Sequence, residues 1–510
     1  MKPKIYLLMS SVDVDRGGIT QASLKQATTF TELGYDTSIL TFDFNPKYPL
    51  IRKDLVNLKK INDDVKILNL YEHLDGETNN NINQPAKTYT ISDFAKENPY
   101  TKRKGHNAYR IYENGIYKRY ISFNPNNSLN FIDYFNENRY RIRREIYDLQ
   151  GILKGTKYMD YVTNNPRQSV YYDNNGNVFL TIWQNPESKK ITRTIHLKNN
   201  TVVKEYTDDS NLGLKVDWIN KLITTPTIII SDTRSSDIIL ANIKSKNTFK
   251  VWRLHSNHKE YKDDSTIVKK VETGYKNMDK YDLSLFLTDE QMKDMIDEKG
   301  HVTNYKVIPH YHSPKKDKLS ILKPTKKDEK LAVIITRFST LKRVNHAIQA
   351  FAEVLKEVPD AKLEVWGSGD QIDNYKKLIK ELKLQNNVFI NGYTTNPDKI
   401  FQNALFSIFT SKSEGFGLSC LESLSNGCPV ISYNVKYGPA DMINSGENGY
   451  LIENGNIERL SEKMIELYKN PKLAIKMGNN ASKLASSNYS YKSYKQKWTE
   501  VINLATEKLN

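Results

Sequence analysis

The chain has 510 residues, too many for one hydrophobic core, so two or three domains are expected. Ordinary apolar content with 32 Tyr excludes a disordered chain, and no run approaches the ~20 apolar residues that would span a bilayer. Lys and Arg total 75 against 59 Asp and Glu, a surplus of 16 that favours anionic partners and equally fits a charged solubility surface. The first apolar run, Ile5–Met9, is too short for a signal peptide. The two cysteines, Cys420 and Cys428, form no C-x-x-C and no disulfide framework. Together these features predict a cytoplasmic chain whose only membrane association is peripheral.

"KIYLLM" (4–9) reads as a buried parallel strand, followed by a loop with Gly17-Gly18, a helix closing on Gly34, and the strand "DTSILTFDF" (36–44). A glycine loop at such a position suits an anionic ligand, because the helix N-terminus offers unpaired N–H groups; a tight turn alone would also explain it. From 85 to 205 the texture changes. Turn clusters such as "NPNN" (124–127), "DNNGN" (173–177) and "KNN" (198–200) separate short alternating runs such as "VFLTIW" (178–183) and "ITRTIHL" (191–197), which predicts an antiparallel meander or hairpin array. Parallel-strand signals resume at 226–232, 249–255, 283–288 and 305–311, and the basic, proline-containing stretch 313–330 reads as a linker.

Beyond it, strands are expected at "LAVIITRF" (331–338), 363–367, 388–393, "FSIFTS" (406–411), 429–434 and 449–453, with helices between. In 344–358 the apolar Val344, Ala347, Ile348, Phe351, Leu355 and Val358 share one face. The fold class is therefore α/β, with two Rossmann-like domains and a β-rich domain inserted in the first. Boundaries are expected at 1–84 with 206–313, at 85–205, at 314–490, and at 491–510 for a C-terminal helix packing back on the N-terminal domain. Ligands in such folds bind at the carboxyl ends of strands, and the cleft between two such domains is a natural site.

Several charged residues fall at those ends. Arg337 and Lys342, in "TRFSTLKRVNH", are expected where a strand gives way to a helix, and a guanidinium fork with an ammonium matches a diphosphate. "SEGFGLSCLESL" (413–424) places Glu414 in a loop and Glu422 in a helix starting near Leu418. Gly415 and Gly417 let the backbone approach a ligand closely, and the Leu418 and Ser419 amides point out of the helix start. Two carboxylates flanking such a cradle suit sugar or ribose hydroxyls.

The segment 413–443, together with the Gly17-Gly18 loop, "RFSTLKR" (337–343), "VWGSGD" (365–370), "VFINGY" (388–393) and "ENGYLIENGN" (447–456), resembles the retaining glycosyltransferases of family 4, which have the GT-B fold. The Tyr/Asn-rich insertion and "LHSNHKEY" (254–261) resemble a Gram-positive subgroup. That subgroup includes wall teichoic acid α-glycosyltransferases of the poly(glycerol-phosphate) and poly(ribitol-phosphate) types and glycosyltransferases of serine-rich adhesins. The resemblance implies that Arg337 and Lys342 bind the donor diphosphate and that Gly17 and Gly18 approach it. It implies that Glu422 holds the ribose and Glu414 the transferred sugar, with Gly415, Phe416, Gly417, Leu418 and Ser419 lining the donor site. Tyr393 falls where the base is held, and His255 matches a histidine near the donor sugar. It further implies metal-independent transfer with retention and no cofactor, UDP-glucose or UDP-GlcNAc being a substrate.

His255 and His258 at i, i+3 could be zinc ligands, but no H-E-x-x-H accompanies them. Asp13-x-Asp15 and His310-Tyr-His312 carry no special weight. No nucleic-acid partner is expected, since no binding signature accompanies the charge. A poly(glycerol-phosphate) teichoic acid is the preferred acceptor over a serine-rich protein, and a non-catalytic acceptor-binding partner is the alternative of another class. Self-association through the β-rich insertion is a further expectation.

Overall fold

The computed structural model describes residues 2–15, 18–76, 85–261, 263–300, 303–314 and 326–510, with backbone alone for 263 and 264. By compactness the chain forms two units, Met1–Phe249 with Leu509–Asn510, and Lys250–Lys508; the division falls inside the strand Thr248–Arg253. Much of the expected linker lies outside the described residues.

In the first unit the strands Thr227–Ser231, Lys4–Met9, Thr37–Thr41 and Lys66–Asn69 lie side by side in that order, all parallel. Their near-continuous burial follows from runs such as "IYLLM". Helix Ile19–Glu32 turns Leu24, Ala27 and Phe30 into the core, a three-residue spacing on one face. The expected β-rich region is a ten-stranded antiparallel meander from Tyr100–Lys102 to Thr201–Tyr206, each strand pairing with the next. Two of its turns show why. Asn114-Gly115 and Asn199-Asn200 have both central φ angles positive (50° and 78°, 51° and 59°), the two-residue loop whose twist matches paired strands. The meander meets the rest of the unit through the clustered rings of Phe44, Tyr71 and Tyr171 (centroids 4.6–5.5 Å apart) and a buried Lys154–Asp75 pair at 2.7 Å.

The second unit contains Lys250–Arg253 of the divided strand and, parallel to it, Leu283–Phe286 and Tyr305–Val307. It also holds a six-stranded parallel sheet in the order Val388–Asn391, Lys362–Trp366, Asp328–Ile335, Ala404–Phe409, Val430–Tyr433, Gly449–Ile452. Counted along the chain this is 3-2-1-4-5-6, the doubly wound arrangement, whose strand order reverses between Asp328–Ile335 and Ala404–Phe409. Helix Val344–Glu357 buries Val344, Ala347, Ile348, Phe351 and Val354 on the sheet. The C-terminal helix Tyr491–Leu509 packs Trp498 under the Arg253 guanidinium (5.5 Å) and sets Tyr491 and Tyr494 at a tilt against Tyr311. Among the described residues no helix is long and apolar enough to cross a membrane.

Candidate active site

Arg337, Lys342 and the Glu414–Glu422 segment follow the two strands, Asp328–Ile335 and Ala404–Phe409, between which the strand order reverses. The first strand of the six-stranded sheet ends at Ile335, three residues short of the expected 338, so Arg337 lies in the segment beyond it. That segment is clasped by 366–369: Thr336 N–H donates to Trp366 O (3.0 Å) and Phe338 N–H to Ser368 O (2.8 Å). Gly369, at φ 155°, lies so close that a Cβ would sit 2.2 Å from Phe338 O, which explains the glycine in "VWGSGD". Arg337 is exposed, and among the described residues its guanidinium has no hydrogen-bond or ionic partner. Lys342 closes the 3-10 turn Thr340–Lys342, and its carbonyl accepts from Thr410 Oγ1 (2.9 Å).

Arg343, which sequence reasoning did not single out, is buried with left-handed backbone (φ 47°). It donates to Thr410 O (2.9 Å), Ser411 O (2.8 Å) and Asn454 Oδ1, and lies over the Tyr433 ring. It therefore fixes the end of the Ala404–Phe409 strand, from which the glutamate loop departs. Only the positive charge next to Lys342 hinted at it.

In that loop the Glu414 carboxylate makes an ion pair with the Lys342 ammonium, their side chains only 13% and 15% exposed. The resemblance assigned Lys342 to the donor diphosphate and Glu414 to the transferred sugar; the structure pairs the two with each other. Gly415 lies on the backbone of His255, where a Cβ would sit 2.1 Å from the carbonyl oxygen, so no side chain fits. Phe416 is buried against His310 and Tyr489 (5.5 and 6.0 Å), and its backbone packs on Gly438. Gly417 caps helix Leu418–Ser425, starting where expected. The Leu418 and Ser419 N–H groups have no acceptor within the helix, a concentration of positive dipole at the loop. Glu422 is half-buried one turn further along. Cys420 lies within the helix, its thiol pushed up by burial and by Glu414.

His255 Nδ1 lies 3.3 Å from His310 Nε2, with the rings stacked at 5.3 Å. The expectation that His310 carried no weight is corrected: 55 residues from His255 in sequence, it backs that imidazole. His258 turns elsewhere, with Nε2 3.0 Å from Glu298 Oε1, and burial holds its pKa below the ordinary value despite that carboxylate. Tyr393 is 76% exposed beyond strand Val388–Asn391. Gly18 belongs to the other unit, at the N-terminus of Ile19–Glu32, and Gly17 lies outside the described residues.

Residues 316–484 match the family of glycosyl transferases group 1. The chain is similar to a poly(ribitol-phosphate) alpha-N-acetylglucosaminyltransferase of Staphylococcus aureus, at 30% identity over 98% of this chain and 99% of that protein. It is also similar to a poly(glycerol-phosphate) alpha-glucosyltransferase of Bacillus subtilis, at 29% identity over 98% of this chain and 75% of that protein. The crystal structure of a mutant of TarM from S. aureus, in complex with fondaparinux, alpha-GlcNAc-glycerol and UDP, superposes with a TM-score of 0.83 at 28% identity. That match covers 99% of this chain and 100% of that one.

Proposed function

This chain belongs to the group 1 glycosyltransferases with the GT-B fold, and from that premise we propose that it moves glucose or GlcNAc from UDP to hydroxyls of a poly(glycerol-phosphate)-type teichoic acid, forming an α-linkage. The observation that carries the reading is the grouping of Lys342, Glu414 and exposed Arg337 with a helix N-terminus at the reversal point of a doubly wound sheet. The relatives' names supply the donor and acceptor classes.

In this reading the donor diphosphate draws the Lys342 ammonium from Glu414, joined by Arg337 and the Leu418 and Ser419 amides. Glu414, freed of its cation, accepts from hydroxyls of the transferred sugar, and Glu422 accepts from the ribose. As the glycosidic bond to phosphate breaks, negative charge grows on the leaving oxygen, where Arg337 and Lys342 stabilise it most. The acceptor hydroxyl attacks from the face the phosphate leaves, and that phosphate takes its proton, so configuration is retained. This reading puts His255 beside the sugar; the contacts of its ring with His310 and of its backbone with Gly415 support that placement. Transfer is taken to be metal-independent, the cations serving where a metal ion would. A peripheral location at the membrane and self-association through the meander complete the proposal.

The test is UDP release by the protein alone, with UDP-glucose and UDP-GlcNAc against glycerol-phosphate and ribitol-phosphate polymers, with and without a chelator. Polymer-dependent release that survives the chelator is expected. Release from neither donor would overturn the reading.

A further inference from the structure

The loop that carries Glu414 is bracketed by two turns, and one helix holds both. On one side Glu414 N–H donates to Lys436 O (3.0 Å), and Glu414 O accepts from Tyr437 N–H (2.9 Å). The next residue, Gly438, lies so tightly on Phe416 O that a Cβ would be 1.7 Å away. On the other side Gly415 lies on the His255–Ser256 backbone, and Asn257 Nδ2 donates to Ser413 Oγ (3.0 Å).

Helix Asp289–Lys299, which follows strand Leu283–Phe286, reaches both turns from a single stripe. Gln291 Nε2 donates to Ser256 O (2.9 Å). Asp294 Oδ2 accepts from Tyr437 O–H (2.6 Å) and pairs with Lys436 Nζ (2.7 Å). Glu298 meets His258 Nε2 and Lys259 Nζ (3.0 and 2.9 Å). Positions 291, 294 and 298 are i, i+3 and i+7, neighbours on one helix face. The buried His258 ring lies parallel to both Tyr437 and Tyr275, so the two turns also meet through packed rings.

We infer that Asp294 is a positioning residue for the transfer reaction, fixing Glu414, and through its ion pair Lys342, by holding Tyr437 and Lys436. The inference rests on the reading of Glu414 and Lys342 given above. Asp294 acts through the backbone of 436–437, whose two hydrogen bonds to Glu414 set where its carboxylate points. Burial pushes the Asp294 carboxyl up, but Lys436 and Tyr437 outweigh it and hold it below its ordinary value, so it is charged at neutral pH. Its bond to the Tyr437 hydroxyl is then charge-assisted, and that hydroxyl is buried, so deleting the carboxylate leaves a donor unsatisfied beside the site.

The test compares full-length wild type with Asp294→Ala, Asp294→Asn and Tyr437→Phe, measuring turnover, UDP affinity by calorimetry, and melting temperature. Asp297→Ala, at an exposed position of the same helix, is the control. A displaced carboxylate lowers kcat about tenfold or more in Asp294→Ala and Tyr437→Phe. UDP affinity, which draws on Arg337, Glu422 and the helix amides besides Lys342 and not on Glu414, falls much less than kcat. Asp294→Asn recovers part of the rate, since its amide oxygen still accepts from Tyr437, and Asp297→Ala matches wild type. Wild-type kcat in Asp294→Ala and Tyr437→Phe overturns the inference, as does loss of UDP affinity in step with kcat. If Asp294→Ala does not fold, Asp294→Asn and Tyr437→Phe decide by the same criteria. Turnover by wild type with these variants unaffected sinks this inference alone; no turnover by wild type with any UDP-sugar sinks the functional reading and this inference together.

Discussion

Arg337 and Lys342 carry like charges in unlike surroundings, which makes their roles separable. Arg337 is exposed and without a partner among the described residues, so Arg337→Ala should leave stability within about 0.5 kcal/mol of wild type. Its turnover should nonetheless fall about 10²- to 10³-fold, the loss seen when a donor to a developing anion is removed. Lys342→Ala should show a similar rate loss together with a lower melting temperature, because it strands the Glu414 carboxylate at a site largely shielded from water. Kinetics and a melting curve on the two variants check both statements; unchanged turnover in either contradicts its assignment. Gly415→Ala should be damaging for another reason, since its methyl group needs the space of the His255 carbonyl. At this scale the sequence revealed residue types but not pairings. Nothing in a linear reading joins Lys342 to Glu414 across 72 positions, or His255 to His310 across 55.

Elements are held to one another by a few buried groups. Lys154 of the meander and Asp75 of helix Leu70–Asp75 form such a contact, each side chain only 7% exposed, and Asn174 accepts a further Lys154 bond. Lys154→Met should cost about 3–5 kcal/mol in denaturant unfolding, because Asp75 is left buried and charged. Lys154→Met/Asp75→Leu should regain most of it; equal losses in the single and double variants would contradict this account. Parallel strands were legible because their apolar runs are nearly uninterrupted; apart from Lys66–Asn69, which no expected run covers, each lies within or close to its expected run. The meander was legible through its asparagine and glycine turns, which adopt the positive φ those residues permit. Strand ends were not. "LAVIITRF" ends on an apolar Phe338, but the strand stops at Ile335 and the residues after it are held by 366–369, a tertiary contact that no local pattern encodes. Arg343 was missed likewise, since a buried arginine bonded to carbonyls reads in sequence as one more basic residue.

For the whole molecule, pH and salt test the same physics. His73, His196, His258 and His346 are all held below the ordinary histidine value, in each case first by burial. The unfolded chain takes up protons near pH 6.5 that the fold resists, so stability is present above that value and lost as pH falls toward the folded-state values. The melting temperature should therefore drop between about pH 7.5 and about pH 5.5, before the carboxylates titrate. A flat or rising profile would show that these imidazoles are not held neutral. The surplus of 16 positive charges should make polymer affinity weaken with added salt more steeply than UDP affinity. The central claim is donor-dependent α-glycosylation of an alditol-phosphate polymer by this chain. The most direct test is NMR of the product formed from UDP-glucose or UDP-GlcNAc and poly(glycerol-phosphate) with the wild-type protein. The account predicts an α-anomeric sugar on the polymer, formed from at least one donor and nearly absent with Lys342→Ala. A β-linked product, or UDP released with only free sugar, would contradict it.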